Sequence, residues 1–349
     1  MTRGELVMEP LRPMLNGKPS ELLEAFPALA EEGLGVIDVG SRGGIQAMFR
    51  ELAPLLHVVG FEPDRDECQR LAAAASAEPF RSTLHLPYAL GAADGEGLLH
   101  VNRERGTSSL YEPNREWLER FPNAARYDVV TTVPVPVRSL DRLVADPEVR
   151  MPRHIDFMKI DTQGSELDIL KGAQQTLQCR GVAIEVEVEF APLYRKQPLF
   201  RDIDAWMHSH GFSLFKLRRQ SWVRRTAEGS PHLSAGQLVF ADALYLRDPL
   251  GEARDSLPYD PRQVEALILI AVLYDFFDVA LELISAPSMT KGLDVARIRR
   301  WVMHRSRRLA SLRERLRRVK ALTVSGDMVD RYRSRWARGD DDFYSSLGQ

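Results

Sequence analysis

Four short apolar runs, at 35–40, 57–61, 155–160 and 182–190, constrain this chain more than anything else in it. Each is too short for a buried helix. Each is followed by residues with helical spacing, starting near Ile45 and covering 64–77, 165–178 and 200–210. A strand that gives way to a helix and then to another strand has to cross over, and crossovers build a parallel sheet with helices on its faces. The expected fold is therefore α/β. Residues 84–90 read as a further strand, and 212–223 with 237–246 as a closing antiparallel hairpin.

The alternation is interrupted once. Residues 97–102 and 129–140 read as two extra strands around an irregular insert, 103–128, that carries Tyr111, Trp117, Phe121 and Tyr127. Pro134 and Pro136 lie two apart and remove ladder donors, so the second of these strands is expected at a sheet edge. Composition divides the chain into a leader at 1–33, a main domain at 34–247 and a helical C-terminal extension at 248–349, entered through a linker with Pro249, Pro258 and Pro261. The extension reads as a helix over 262–284, with Asp275, Asp278 and Glu282 on one stripe, and a basic helix over 294–320. Residues 291–320 carry twelve Lys and Arg against Asp294 and Glu314, a charge of +10 on a chain whose total is −2. The basic helix is expected either to dock on that acidic stripe or to give a peripheral contact with an anionic membrane. Its apolar line is Ile298, Val302, Leu309, Leu312, Leu316 and Val319. Two cysteines, Cys68 and Cys179, make no disulfide framework. With no secretory leader and no membrane span in the reading, a cytoplasmic location is expected.

Chemistry concentrates at two places. Asp38-Val-Gly-Ser-Arg-Gly-Gly44 follows the first apolar run, and Phe61-Glu-Pro63 ends the second. Glycines let a strand-to-helix turn approach a ligand closely, and the next helix N-terminus suits an anionic group. An acid at the second strand end, Glu62, suits paired ribose hydroxyls. A dinucleotide fingerprint would need a third glycine where Ile45 stands, which opposes the rival reading of a dinucleotide-dependent oxidoreductase. The D-x-G-x-x-G spacing from Asp38 instead suits S-adenosylmethionine, with Gly40, Ser41 and Gly43 in the turn. Arg42 is expected to point to solvent. The second place is the end of the 155–160 run, where Asp161, Gln163 and Gly164 lead into a helix that starts with Glu166.

The run Lys159-Ile-Asp-Thr-Gln-Gly-Ser-Glu-Leu-Asp-Ile-Leu-Lys-Gly-Ala173 resembles the FkbM-type methyltransferases. So do Val36-Ile-Asp-Val-Gly40, Gly60-Phe-Glu-Pro63, Ala89-Leu-Gly91, Gly106-Thr-Ser-Ser109 and Phe190-Ala-Pro-Leu-Tyr194 with Gln197-Pro198. The resemblance implies a class I methyltransferase sheet, Rossmann-like and mostly parallel with a reversed closing hairpin. It implies S-adenosylmethionine as methyl donor and, usually, O-methylation. By position, Asp38, Gly40 and Glu62 would hold the cofactor, Ala89 and Leu90 would line its adenine, and 161–164 would face the methyl group.

The residues also narrow the acceptor. Neither cysteine follows a proline, as the nucleophile of pyrimidine-carbon methylation commonly does, and the run after Asp161 is not the Asn/Asp-Pro-Pro-Tyr/Phe type of amino methylation. No nucleic-acid partner is expected. An alcohol gains from a group that takes its proton, and the candidates are Asp161, Glu187 and Glu189. Glu185, Glu187 and Glu189 alternate onto one strand face, which is costly unless they are paired or line a cavity. Asp161 with these glutamates offers oxygen ligands for a divalent metal, but chemistry without a metal is favoured. The sequence thus reads as an O-methyltransferase for a glycan, a lipid-linked intermediate or a secondary metabolite. The alternative is a non-catalytic, cofactor-binding scaffold that presents the basic helix.

Overall fold

The computed structural model describes residues 19–227, 234–251, 259–323 and 337–340. The leader before residue 19, part of the 248–261 linker and most of the chain after Thr323 lie outside the described residues, as do the side chains of Leu312, Leu316 and Val319. In chain order the strands are β1 (Leu34–Val39), β2 (Leu56–Phe61), β3 (Ser82–Leu86), β4 (Ala89–Leu90), β5 (Gly95–Asn102) and β6 (Val129–Arg138). They continue with β7 (Phe157–Ile160), β8 (Ala183–Glu189), β9 (Ser213–Trp222), β10 (Gln237–Leu246) and β11 (Ala337–Gly339). The large sheet has the order β3-β2-β1-β7-β8-β10-β9-β11. It is parallel from β3 to β8 and antiparallel through the closing hairpin and β11. Strand order reverses between β1 and β7, and in open α/β sheets ligands bind beyond the carboxyl ends at such a point.

Two of the strands differ from expectation. The run 84–90 is broken by Pro87: β3 stays in the large sheet, while β4 joins a three-stranded sheet, β4-β6-β5. The proline strand β6 is therefore central rather than at an edge. Its prolines are tolerated because β4 pairs only with Val137 and Arg138, beyond both of them, while β5 pairs along the whole strand.

Helices cover both faces of the large sheet. On one face Leu140, Leu143, Ile169, Leu170, Leu177, Ile203 and Met207 pack on Ile37, Val39, Met158, Ile160, Ile184 and Val186. The other face is built from both ends of the described chain. Helices α1 (Pro19–Ala25) and α2 (Pro27–Glu32) bury Leu22, Phe26 and Leu29 there, beside the one-turn helix α3 (Ala47–Arg50). They meet a helix of the C-terminal extension, Pro261–Leu273, whose residues from Val264 to Leu273 are all buried. The composition shift at 248 thus marks a linker inside one core. Arg262 makes two hydrogen bonds to Asp156, at 2.8 and 2.7 Å, and a third to the Gly33 carbonyl at 2.6 Å. Asp156 also accepts from Gly35 N–H at 2.9 Å.

The expected helix over 262–284 is two helices, Pro261–Leu273 and Phe277–Leu283. Asp275 lies between them at φ +70. Phe276 N–H bonds the Ala271 carbonyl and Asp275 N–H the Val272 carbonyl, a Schellman ending. An aspartate in the place usually held by glycine hid this stop in the sequence. The basic helix, Val295–Thr323, docks by its apolar line, with Ile298 and Val302 buried and Trp301 edge-on to Phe26 at 5.0 Å. Its Arg305 pairs with Glu51 at 3.4 Å, so the helix is anchored elsewhere than on the 275–282 stripe alone.

Glu265 gives a pH-dependent contribution to this core. The residue before α2 is Phe26, which cannot cap a helix, and Glu265 accepts from Leu29 N–H at 3.0 Å instead. Burial raises its carboxyl from the ordinary 4.5 to about 7, with the α2 backbone N–H groups and Arg262 opposing. A raised acid favours the folded state while protonated. Its contribution is complete below about pH 4.5 and is lost as pH rises through about 7. Glu265→Gln should flatten the pH dependence of thermal unfolding across that window by on the order of 3 kcal/mol. An identical slope in wild type and variant would assign the dependence to other groups.

Candidate functional site

The first strand end is pressed between its neighbours. Gly40 and Ser41 N–H both donate to the Phe61 carbonyl at 3.1 Å, and Asp161 N–H donates to the Val39 carbonyl at 3.0 Å. Gly40 has φ +74, and a Cβ there would lie 2.0 Å from the Asp161 carbonyl oxygen, so no other residue fits. Gly43, at φ +90, has open space around it and is set by backbone conformation alone. The helix that follows is the single turn α3, too short for the expected anion site at its N-terminus.

Between this turn, the end of β2, the β4 segment, the start of the 161–165 loop and the 104–110 loop lies a cavity of about 470 Å³. Gly40, Gly43, Glu62, Ala89, Leu90, Asp161 and Gln163 line it. Asp38, Ser41, Glu187 and Glu189 do not reach its wall. Asp38 and Ser41 are enclosed beneath the turn, and neither Asp38 Oδ1 nor Ser41 Oγ has a hydrogen-bond partner. Burial pushes Asp38 up to about 6, opposed by Lys159.

Glu62 is buried at the wall, and one of its oxygens accepts from Asp64 N–H at 3.0 Å. Burial raises its pKa, while Asp64 N–H and Arg42 act the other way. Arg42 does not point to solvent. It donates to Asp64 at 2.9 Å and lies 3.7 Å from Glu62, because three carboxylates from the β2 end and the following helix surround it. Arg42, Arg70 and the 104–110 loop are cavity residues that the sequence reading did not assign. The motif Gly106-Thr-Ser-Ser109 was the available signal for the loop. Tyr111, Trp117, Phe121 and Tyr127 are not on the cavity wall. Phe121 and Tyr127 pack with Trp222 and Tyr194 in a cluster of their own, and Tyr111 donates to Asp168 at 2.8 Å.

Behind the cavity, strand register sorts the charges. Asp38, Lys159 and Glu185 are neighbours across β1, β7 and β8, and Glu187, Asp242 and Arg218 across β8, β10 and β9. The apolar row one step earlier, Val36, Phe157 and Ala183, belongs to the core. Glu185 accepts from the Gln46 amide, and Asp242 from Arg218 at 2.9 and 2.7 Å. Burial alone would raise Asp161, but Lys159 Nζ at 3.1 Å and the Gln163 amide outweigh it and hold the carboxyl below its ordinary range. Glu187 and Glu189 go the other way. Burial raises both well above the ordinary value, reinforced by Asp161 and Glu189 for the former and by Glu166 and Asp161 for the latter. Glu189 is fully buried, with neither oxygen hydrogen-bonded. Carboxyls pushed apart in this way favour the ionised form at Asp161, on the cavity wall, and the protonated form at Glu187 and Glu189 behind it. Among the described residues no group of His, Cys, Asp and Glu is placed to hold a metal ion, and no helix is long and apolar enough to cross a membrane.

The methyltransferase FkbM domain matches residues 38–214 of this chain. No curated protein matches it in sequence. Among solved structures, a methyltransferase FkbM from Methylobacillus flagellatus KT is 15% identical with a TM-score of 0.36, over 62% of this chain and 44% of that one. The chain thus spans less than half the length of that relative. The 16S rRNA (adenine(1408)-N(1))-methyltransferase of Catenulisporales acidiphilia, in a variant form with cosubstrate SAM, is 13% identical with a TM-score of 0.30, over 66% of this chain and 90% of that one.

Proposed function

Because the chain belongs to the FkbM methyltransferase family, we propose that it transfers a methyl group from S-adenosylmethionine to a hydroxyl of a glycan, a lipid-linked intermediate or a secondary metabolite. The observation that carries the reading is a single cavity that has the Glu62 carboxyl on one wall and the ionised Asp161 on another. The residues present fit the donor. Glu62 offers an acceptor for paired ribose hydroxyls, Gly40 admits a ligand against bare backbone, and Ala89 with Leu90 gives an apolar wall for a base. The cavity is also of a size usual for small-molecule sites. When bound, S-adenosylmethionine supplies an activated methyl group on a cationic sulfur. Asp161 accepts the proton of the acceptor hydroxyl, and Lys159 keeps Asp161 ionised for that purpose. The walls would hold the acceptor hydroxyl beside Asp161, which is the positioning that the transfer needs.

Glu62→Ala should weaken S-adenosylmethionine binding by about 1.5–3 kcal/mol, the usual value of hydrogen bonds to a charged acceptor. Titration calorimetry checks it, and unchanged affinity would remove Glu62 from the donor site. Transfer of labelled methyl to a panel of hydroxyl acceptors tests the reaction itself.

One observation favours a second reading, a scaffold that presents its basic helix to a partner or an anionic membrane. With Ile298 and Val302 turned inward, Arg300, His304, Arg307 and Arg308 remain exposed. Donor binding without transfer to any acceptor, together with co-sedimentation on anionic vesicles, is the result that reading expects.

A further inference from the structure

Three segments far apart in the chain converge on one residue, Gln163. Its backbone lies at φ +62, a conformation that a residue with a Cβ keeps only when its surroundings hold it there. Ser109, from the loop after β5, donates its hydroxyl to the Gln163 carbonyl at 2.7 Å. Tyr194, from the loop after β8, is fully buried and holds its hydroxyl 3.1 Å from Gln163 Oε1 and 2.7 Å from the Thr107 carbonyl oxygen. Gln163 Nε2 donates to Asp161 Oδ1 at 3.1 Å and to Glu187 Oε2. The polarity of this chain of bonds runs one way. The phenol hydrogen is shared by two oxygens, and an ionised carboxylate only accepts, so the amide oxygen faces Tyr194 and the nitrogen faces Asp161. A reversed amide would set a carbonyl oxygen against the carboxylate.

We propose that Gln163 is a positioning residue and Tyr194 its anchor, together aiming the Asp161 carboxylate into the cavity and holding Glu187 behind it. The inference rests on the reading of Asp161 as the proton acceptor. The local charges explain why such a device is needed. Lys159 on β7 is the cation beside Asp161, and Asp38 on β1, Glu187 and Glu189 on β8, Asp242 on β10 and Glu166 after the 161–165 loop all share this buried region. One lysine cannot decide by itself which acid is ionised. The fixed amide adds one N–H at Asp161, on the same 161–165 loop, while its second N–H holds Glu187 in place behind it.

The test reads ionisation rather than turnover. Full-length protein with ¹³C-labelled aspartate carboxyls is titrated with pH, and the Asp161 signal is assigned by its loss in Asp161→Asn. Gln163→Asn suits the left-handed backbone but is one carbon too short to serve both acids. It should raise the Asp161 midpoint by about one pH unit, a tenfold change in the ionised ratio. Tyr194→Phe keeps the ring in its aromatic cluster and should move the midpoint in the same direction, with the melting temperature retained. An unmoved midpoint in Gln163→Asn overturns the proposal, and an unmoved one in Tyr194→Phe overturns the anchor. A raised midpoint alongside normal turnover of Asp161→Asn would support the positioning network while removing Asp161 as the base.

Discussion

Asp161→Asn is expected to lower kcat by about 10²–10⁴, the usual share of general-base catalysis, while donor binding and the fold are retained. The amide keeps the shape of the carboxyl and can still meet Gln163, but it cannot take a proton. Glu187→Gln is the contrasting variant. Burial beside Asp161 and Glu189 favours the protonated Glu187 carboxyl, so a neutral amide in its place should cost little. The pH profile has a definite sign. A base held below the ordinary carboxylate range stays ionised into acid, so the acid limb of kcat should fall only below about pH 4. Initial rates of labelled methyl transfer decide between the two acids. Normal turnover by Asp161→Asn with an inactive Glu187→Gln would move the base to β8. Loss of activity with chelator, restored by magnesium, would instead make these carboxyls metal ligands.

The parallel strands and the glycine turn were legible in the sequence for one reason. Buried strands of an α/β sheet are short apolar runs, and a turn as tight as the one at Gly40 admits only glycine. Glu62 was legible because it directly follows such a run. Asp38 shows the limit of that reasoning: its spacing to Gly40 identifies the turn, but only the packing shows it enclosed beneath the turn and absent from the cavity wall. Arg42 was misread because nothing local announces that Glu62, Asp64 and Glu67 close around it. Glu187 and Glu189 were correctly placed on one strand face, but alternation alone does not tell which carboxyl favours the ionised form. The difference comes from Lys159, which lies beside Asp161 and favours its ionised form. The core contribution of 261–273 was hidden for a different reason. Its partner, Asp156 just before β7, lies 106 residues away, and neither residue advertises the other.

That distant pair sets the largest expected loss of stability. Arg262 and Asp156 are almost wholly excluded from water, 4% and 1% exposed, and bond each other through two parallel contacts. Removing one partner of such a pair leaves a buried charge without compensation, and typically costs about 3–5 kcal/mol. Arg262→Met should therefore destabilise the protein by about that amount in urea unfolding, although methionine suits an apolar helix position. Asp156 would keep only the Gly35 N–H, and the Gly33 carbonyl would lose its donor. Arg262→Met combined with Asp156→Asn should recover part of the loss, since the asparagine carbonyl still serves Gly35 while the stranded charge is gone. The recovery is the informative quantity, because a double-mutant cycle separates the pair from the packing of the helix around it. Equal losses in the single and double variants would mean that the arginine acts through packing alone. A clear recovery would tie the C-terminal extension to the segment at Gly33 and Gly35, where the chain enters β1, the strand that leads into the turn at Gly40. The extension would then be part of what holds the glycine turn in place.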